Sequence, residues 1–151
     1  MLIIVYLFIF ELKHLICDFF LQNEYMLGKF KEKGWKLPLT AHCAVHALAT
    51  FMILSVFWAL TGKALFWLAL FDFTAHFIMD RIKASPKLLG KYKCLGSKEY
   101  SRLKEIAQKP DQFGKMAEKL LDDNRKFWYN LGIDQFVHQV TSLIIVAVML
   151  C

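Results

Sequence analysis

The chain has 151 residues, of which 57% are hydrophobic, 15% aromatic and 21% charged, with a mean hydropathy of +0.38 and a formal net charge of +6. A charged fraction near that of a soluble protein, beside so apolar a total, requires the two residue kinds to be segregated along the chain, and they are. Disorder, a collagen-like fibre, a disulfide-rich secreted module and an ordinary water-soluble globule are excluded, and the length suits one domain.

Four apolar runs each approach the ~20 residues that carry a helix across a bilayer. They are Leu2–Gln22, Pro38–Leu60, Ala64–Lys83 and Phe127–Leu150. In the first, Leu2 to Phe10 is clean, and Glu11, Lys13, His14 and Asp18 interrupt the remainder. A cleaved signal peptide wants a basic start and a small-residue cleavage site, and neither is present. The segment therefore reads as a retained span with polar cargo. A tight Thr61-Gly62-Lys63 turn separates the second and third runs. In the long loop of about 84–126, Ser97 is placed to cap a short helix with Tyr100, Leu103, Ile106 and Ala107 on one face. Lys109-Pro110-Asp111 breaks it, and Phe113, Met116, Ala117, Leu120 and Leu121 repeat the pattern in a second helix. The expected fold is all-α: residues 1–151 form one integral membrane domain, a bundle of four transmembrane helices. Two short amphipathic helices between the third and fourth spans lie against the cytoplasmic surface.

Loop charge gives the orientation. Of 19 basic residues, 13 lie between Arg81 and Lys126, and Lys29, Lys31, Lys33 and Lys36 sit between the first two spans. The first and third loops share a side, so the positive-inside rule places both in the cytoplasm and both termini outside, in a multi-pass inner-membrane protein. This topology accounts for the net charge without nucleic acid, for which no binding motif is present. The bilayer is the expected partner, anionic lipid headgroups fit the basic surface, and self-association is left open.

The polar residues inside the spans follow one rule. All five histidines have an Asp or a His four positions away: His14 with Asp18, His42 with His46, His76 with Asp72 and Asp80, and His138 with Asp134. Asp and His together make up only 12 of 151 residues, so chance pairing of every histidine is improbable. A spacing of four puts two side chains on one helix face with Cβ atoms ~5–6 Å apart, the arrangement by which helical residue pairs grip a metal ion. Glu11, His14, Asp18 and Gln22 fall in one arc of the first span, and Asn130, Asp134, His138 and Thr141 in one arc of the fourth. Under the loop-charge topology all nine Asp and His residues converge in the cytoplasmic leaflet.

A hydrogen-bonded structural network is the plainer reading, and magnitudes count against it. A central Asp costs ~2.5–3.5 kcal/mol to insert, whereas an interhelical hydrogen bond returns ~0.6 kcal/mol. A divalent cation would hold the carboxylates ionised and satisfy the imidazoles together. The expected ligands are His14, Asp18, His42, His46, Asp72, His76, Asp80, Asp134 and His138. Nine donors suit two ions sharing a bridging Asp, or one ion with Asp residues orienting its His ligands. The mixed donor set favours zinc, with iron or manganese as alternatives. The four cysteines have no metal spacing and read as buried apolar side chains, although Cys17 and Cys43 adjoin the polar residues. Lys13 lies off the first stripe and is expected to snorkel or to pair with a stray carboxylate.

The segments His14-Leu-Ile-Cys-Asp18-Phe-Phe-Leu-Gln22, Thr40-Ala-His42-Cys-Ala-Val-His46, Asp72-Phe-Thr-Ala-His76-Phe-Ile-Met-Asp80 and Asp134-Gln-Phe-Val-His138 resemble a family of small bacterial and phage membrane proteins, domain of unknown function 3307. The resemblance covers nearly the whole chain and is weakest over 81–126. It implies a polytopic membrane protein and carries no activity with it. On the residues alone, three functions are in view. The first is a metal-dependent hydrolase of a lipid or lipid-linked substrate, with Glu11 as general base. The second is a divalent-metal or proton transporter or channel, and the third a non-enzymatic membrane effector. After Thr50 in the second span and Ser142 in the fourth, few polar residues remain to line a conduction path.

Overall fold

The protein is described by a computed structural model over residues 2–57 and 61–150. Among these residues every regular element is helical. The first helix, α1 (Leu2–Leu15), meets no Gly or Pro at its end. It runs on into a five-residue π-turn, Ile16–Phe20, closed by Leu21 N–H donating to Ile16 O at 3.0 Å. The Asn23 side chain accepts from Met26 N–H at 3.1 Å and opens a 3-10 turn, Met26–Phe30. That turn packs on the start of α2 (Lys36–Phe57) at Gly28, where a Cβ would lie 2.8 Å from Pro38 Cγ. Pro38 itself sits in the first turn of α2, where a missing N–H costs nothing. Thr61 caps α3 (Gly62–Ala84), its hydroxyl accepting from Ala64 N–H at 3.4 Å. Two helices complete the chain, α4 (Ser97–Ile106) and α5 (Gln112–Leu150), with Asp111 Oδ1 accepting from Gly114 N–H at 2.8 Å at the start of α5. The expected end of the second span at Leu60, and Cys151, lie outside the described residues.

Helices α1, α2, α3 and α5 form a closed ring of neighbours, α2 against α3, α3 against α5, α5 against α1 and α1 against α2. Their inward faces repeat every three or four residues, as a helix requires. On α1 and its π-turn these are Phe10, Lys13, His14 and Cys17; on α2, Leu39, His42, Cys43, His46, Thr50 and Leu54. On α3 they are Leu65, Ala69, Asp72, His76 and Asp80, and on α5, Asp134, His138, Thr141, Ile145 and Met149. The interior is divided by polarity. Phe10, Leu54, Leu65, Ile145, Val146 and Met149 pack together as an apolar core toward one end, with Tyr6, Leu7, Ile53 and Leu68 against them. The other end is filled with His, Asp and Lys. Outside, Ile4, Phe8, Phe19, Val56, Trp67 and Phe136 are between 64% and 76% exposed. Apolar surface of this extent suits hydrocarbon rather than water. Helices α2, α3 and α5 are each long and apolar enough to cross a membrane.

The structure corrects two of the sequence expectations. The second amphipathic helix and the fourth span are one 39-residue helix, α5. The polar run Asp122-Asp-Asn-Arg-Lys126 lowers hydropathy, yet none of its residues breaks a helix, so α5 passes through it. Ser97 is the first residue inside α4 rather than its cap; Gly96 holds the cap position and makes no side-chain bond. The break around Pro110 falls where expected. Leu103, Ile106 and Ala107 are half-buried on the α4 side that meets α5, while Tyr100 is exposed. The first apolar segment is α-helical for 14 residues and then π-helical for five, so its regular helix is shorter than the three candidate spans.

Candidate metal centre

All nine Asp and His residues singled out by their spacing converge at the polar end of the bundle. The layer nearest the apolar core is a buried triad, in which Asp72 Oδ2 accepts from Lys13 Nζ at 2.9 Å and from Thr50 Oγ1 at 2.7 Å. One turn along lies a layer of four imidazoles, one from each helix of the ring. The centroids of His46 and His76 are 4.0 Å apart, those of His76 and His138 4.2 Å, and those of His14 and His138 4.8 Å. His76 Nδ1 lies 2.9 Å from Asp72 O, and its Nε2 is 3.5 Å from His14 Nδ1. The next turn holds Asp18, His42, Asp80 and Asp134. Asp80 Oδ2 is 3.0 Å from His42 Nε2, and Asp134 Oδ1 is 3.4 Å from His138 Nε2.

Three lysines enter this cluster, and each neutralises one aspartate. Lys13 pairs with Asp72 at 2.9 Å, Lys29 with Asp80 at 2.9 Å and Lys83 with Asp134 at 2.6 Å. Gly28 permits the second of these, because the close approach of the 3-10 turn to Pro38 delivers Lys29 to the bundle interior. Asp18 stands apart. Among the described residues its carboxylate meets imidazoles: His46 Nε2 at 3.1 Å and His42 Nε2 at 3.4 Å from Oδ1, and His14 Nε2 at 3.1 Å from Oδ2. With neutral imidazoles, four carboxylates and three ammonium groups leave one net negative charge, and it is localised at Asp18.

His46 Nε2 is hydrogen-bonded to Asp18 Oδ1 at 3.1 Å, whereas the His14 and His42 contacts are close but poorly aligned for hydrogen bonding. His14 Nε2, His42 Nε2, His42 Nδ1 and His46 Nδ1 are buried without a hydrogen-bond partner. Buried polar atoms are nearly always partnered, so these need an account. Three ligand groups fall within 4.8 Å of one another in each of three sets: His14, His46 and His76; Asp18, His42 and His46; and Asp80, Asp134 and His138. For ligands at about 2.1 Å from a tetrahedral zinc, neighbouring ligand atoms lie about 3.4 Å apart. The Asp18 contacts of 3.1–3.4 Å match that edge. Cys17 and Cys43, though buried, belong to none of these sets.

Two residues of α1 are placed differently from their positions on the sequence stripe. Glu11, expected beside His14 and Asp18, is exposed on the outer side of α1, away from the cluster. The inward face of α1 and its π-turn is centred on Phe10, Lys13, His14 and Cys17. The alignment of Glu11 with Asp18 assumed about 100° per residue throughout. The π-turn places more residues in a turn, so Asp18 lags back onto the face of His14 and leaves Glu11 behind. Lys13, off the expected stripe, is at 5% exposure and takes the carboxylate pairing that was one of its two expected fates. Lys29, Lys83 and Thr50 join the cluster without having been singled out by the sequence. Lys83 follows Asp80 by three and so shares its face; nothing local to Lys29 marks it as inward.

The chain belongs to the DUF3307 family, whose description is "protein of unknown function" and whose model matches residues 4–151. No curated protein and no solved structure matches the chain.

Proposed function

We propose that the chain is a four-span inner-membrane protein with both termini outside, and that it works as a metal-dependent hydrolase of a lipid or lipid-linked substrate at a centre in the cytoplasmic leaflet. The observation that carries the reading is Asp18, the carboxylate of the cluster that no lysine neutralises among the described residues, met by three imidazole Nε2 atoms at 3.1–3.4 Å. The charge balance favours one ion over two, because the other aspartates are already neutralised. Asp18, His42 and His46 would hold it and leave a fourth position open for water, with His14 and His76 beside them; zinc suits the donor set, and iron or manganese would also bind it. A bound divalent ion supplies Lewis acidity and a water of lowered pKa. Asp80, rather than the outward-facing Glu11, takes the proton-accepting role. Its Oδ2 is engaged by Lys29 and His42, while Oδ1 has His138 Nε2 at 4.0 Å.

The transporter reading is opposed by two features. The lysines would repel a cation in transit, and the apolar core of Phe10, Leu54, Leu65, Ile145, Val146 and Met149 closes the bundle beyond the centre. Elemental analysis of protein purified in detergent without chelator tests the proposal. One transition-metal ion per chain is expected, lost in Asp18→Asn and His46→Ala and retained in Asp134→Asn, whose freed Lys83 is 27% exposed and can reach water. Asp80→Asn should keep the ion and lose turnover. Metal-free native protein, with the Asp18→Asn variant equally stable, would end the metal reading and leave the non-enzymatic effector.

A further inference from the structure

A cavity of about 360 Å³ lies beside the polar end of the bundle, where α5 emerges from the apolar run. Its walls are apolar, with Phe30, Leu89, Tyr92, Phe127 and Leu131 among them. Its polar side chains are donors. Lys83 and Lys93 border it, and so does Asn130, whose Nδ2 is buried without a hydrogen-bond partner. Among the described residues no Asp or Glu lines it. Lys83 also faces the centre, since its Nζ pairs with Asp134, which in turn meets His138. An ammonium has three donors and Asp134 accepts one, so Lys83 has donors left for a ligand in the cavity. Apolar walls with a few convergent donors, at this volume, are the make-up of a small-ligand site. Exposed Leu88 stands nearby on the same loop, and the surrounding loop carries Lys87 and Lys91.

We infer that this cavity seats the headgroup of an anionic phospholipid, its phosphate held by Lys83, Lys93 and Asn130 and its glycerol and first chain carbons against Phe127 and Leu131. Charge complementarity selects the anion, and the apolar walls select an amphiphile over a free ion. The inference deepens the hydrolase reading by naming the headgroup class, and rests on that reading only for the consequence that a substrate phosphate would lie next to the centre.

Cys94, exposed at the border of the cavity, gives the readout: Cys17 and Cys43 are buried, and the Cys94→Ser background subtracts any reaction at Cys151. The rate of its alkylation by an impermeant maleimide is measured in detergent, with Cys94→Ser as the background. The probes are a short-chain phosphatidic acid, a phosphatidylcholine of the same chain length and inorganic phosphate. Phosphatidic acid should slow alkylation and the other two should not. Lys93→Ala and Lys83→Met should each raise its half-protecting concentration about tenfold, the weight of one charge-assisted hydrogen bond. Leu131→Trp, which fills the cavity and touches no charge, should abolish protection. Equal protection by phosphatidylcholine, equal protection by inorganic phosphate, or full protection in Leu131→Trp would each overturn the inference. Asp18→Asn protein separates the two proposals: it should still be protected although its ion is gone, whereas loss of protection in protein that keeps its ion refutes the cavity alone.

Discussion

Lys13→Met tests whether the bundle is held by charge pairing or merely tolerates it. Lys13 Nζ is 2.9 Å from Asp72 Oδ2, and the two side chains are 2% and 1% exposed. At an effective dielectric constant of ~20 the Coulomb attraction at that distance is about 6 kcal/mol, most of it spent on desolvating both charges. Removing the lysine leaves Asp72 buried with Thr50 Oγ1 2.7 Å from Oδ2 and His76 Nδ1 3.3 Å from Oδ1. Breaking a buried pair from one side costs about 3–5 kcal/mol, and that is the expected loss. Methionine keeps the length of the side chain, so little of the loss comes from a cavity. Adding Asp72→Asn removes the orphaned charge and keeps an acceptor for Thr50, so the double variant should recover at least about 2 kcal/mol, a coupling expected only of residues in contact. Unfolding by detergent titration, followed by tryptophan fluorescence, measures both. A Lys13→Met loss below about 1 kcal/mol, or losses that simply add in the double variant, would refute the argument.

Glu11→Gln should leave the bound ion and any turnover unchanged, because Glu11 faces outward; loss of either would return it to the centre. In Gly28→Ala the new Cβ would meet Pro38 Cγ at 2.8 Å, costing about 1–3 kcal/mol as overpacking does, and displacing Lys29, which is 4% exposed. Faster reaction of Lys29 with an amine reagent, read by peptide mass, checks it; an unchanged rate contradicts it. Cysteines introduced at Lys36 and Gly96 should be shielded from an impermeant reagent in intact cells, and one at Gly62 should react. Labelling of Gly96 from outside would reverse the orientation.

The nine polar ligand candidates were legible because a spacing of four has one meaning on a helix, and the helices themselves were plain from hydropathy. Glu11 misled because its alignment with Asp18 holds only on an unbroken α-helix, and nothing in Ile16-Cys-Asp-Phe-Phe20 announces a π-turn. The lysines were hidden for a different reason. A basic residue near the end of an apolar run is ordinarily a topology signal, and whether it points to the headgroups or into the bundle depends on its rotation about the helix axis. For Lys13 the structure sets that rotation, placing it on the buried face of Phe10 and Cys17, three before and four after it. For Lys29 it depends on a turn built by Asn23, Gly28 and Pro38 together, which no local pattern encodes. The continuity of α5 was obscured by taking a change of polarity between Leu121 and Phe127 for a change of backbone.

That continuity makes α5 a lever. Its 39 residues measure about 58 Å at 1.5 Å per residue, roughly twice the ~30 Å of a hydrocarbon core. Asp134 and His138 stand near its midpoint, which the proposed topology sets at the bilayer surface, and α4 rests on the arm that would overhang it. A rod with no joint cannot yield locally, so under the proposed topology a push on the overhang would pivot the whole helix about the bilayer surface. The two residues closest to the fulcrum translate least, and Ile145, Val146 and Met149 at the far end sweep the most. Load on the overhang would thus displace the apolar core more than the histidine layer.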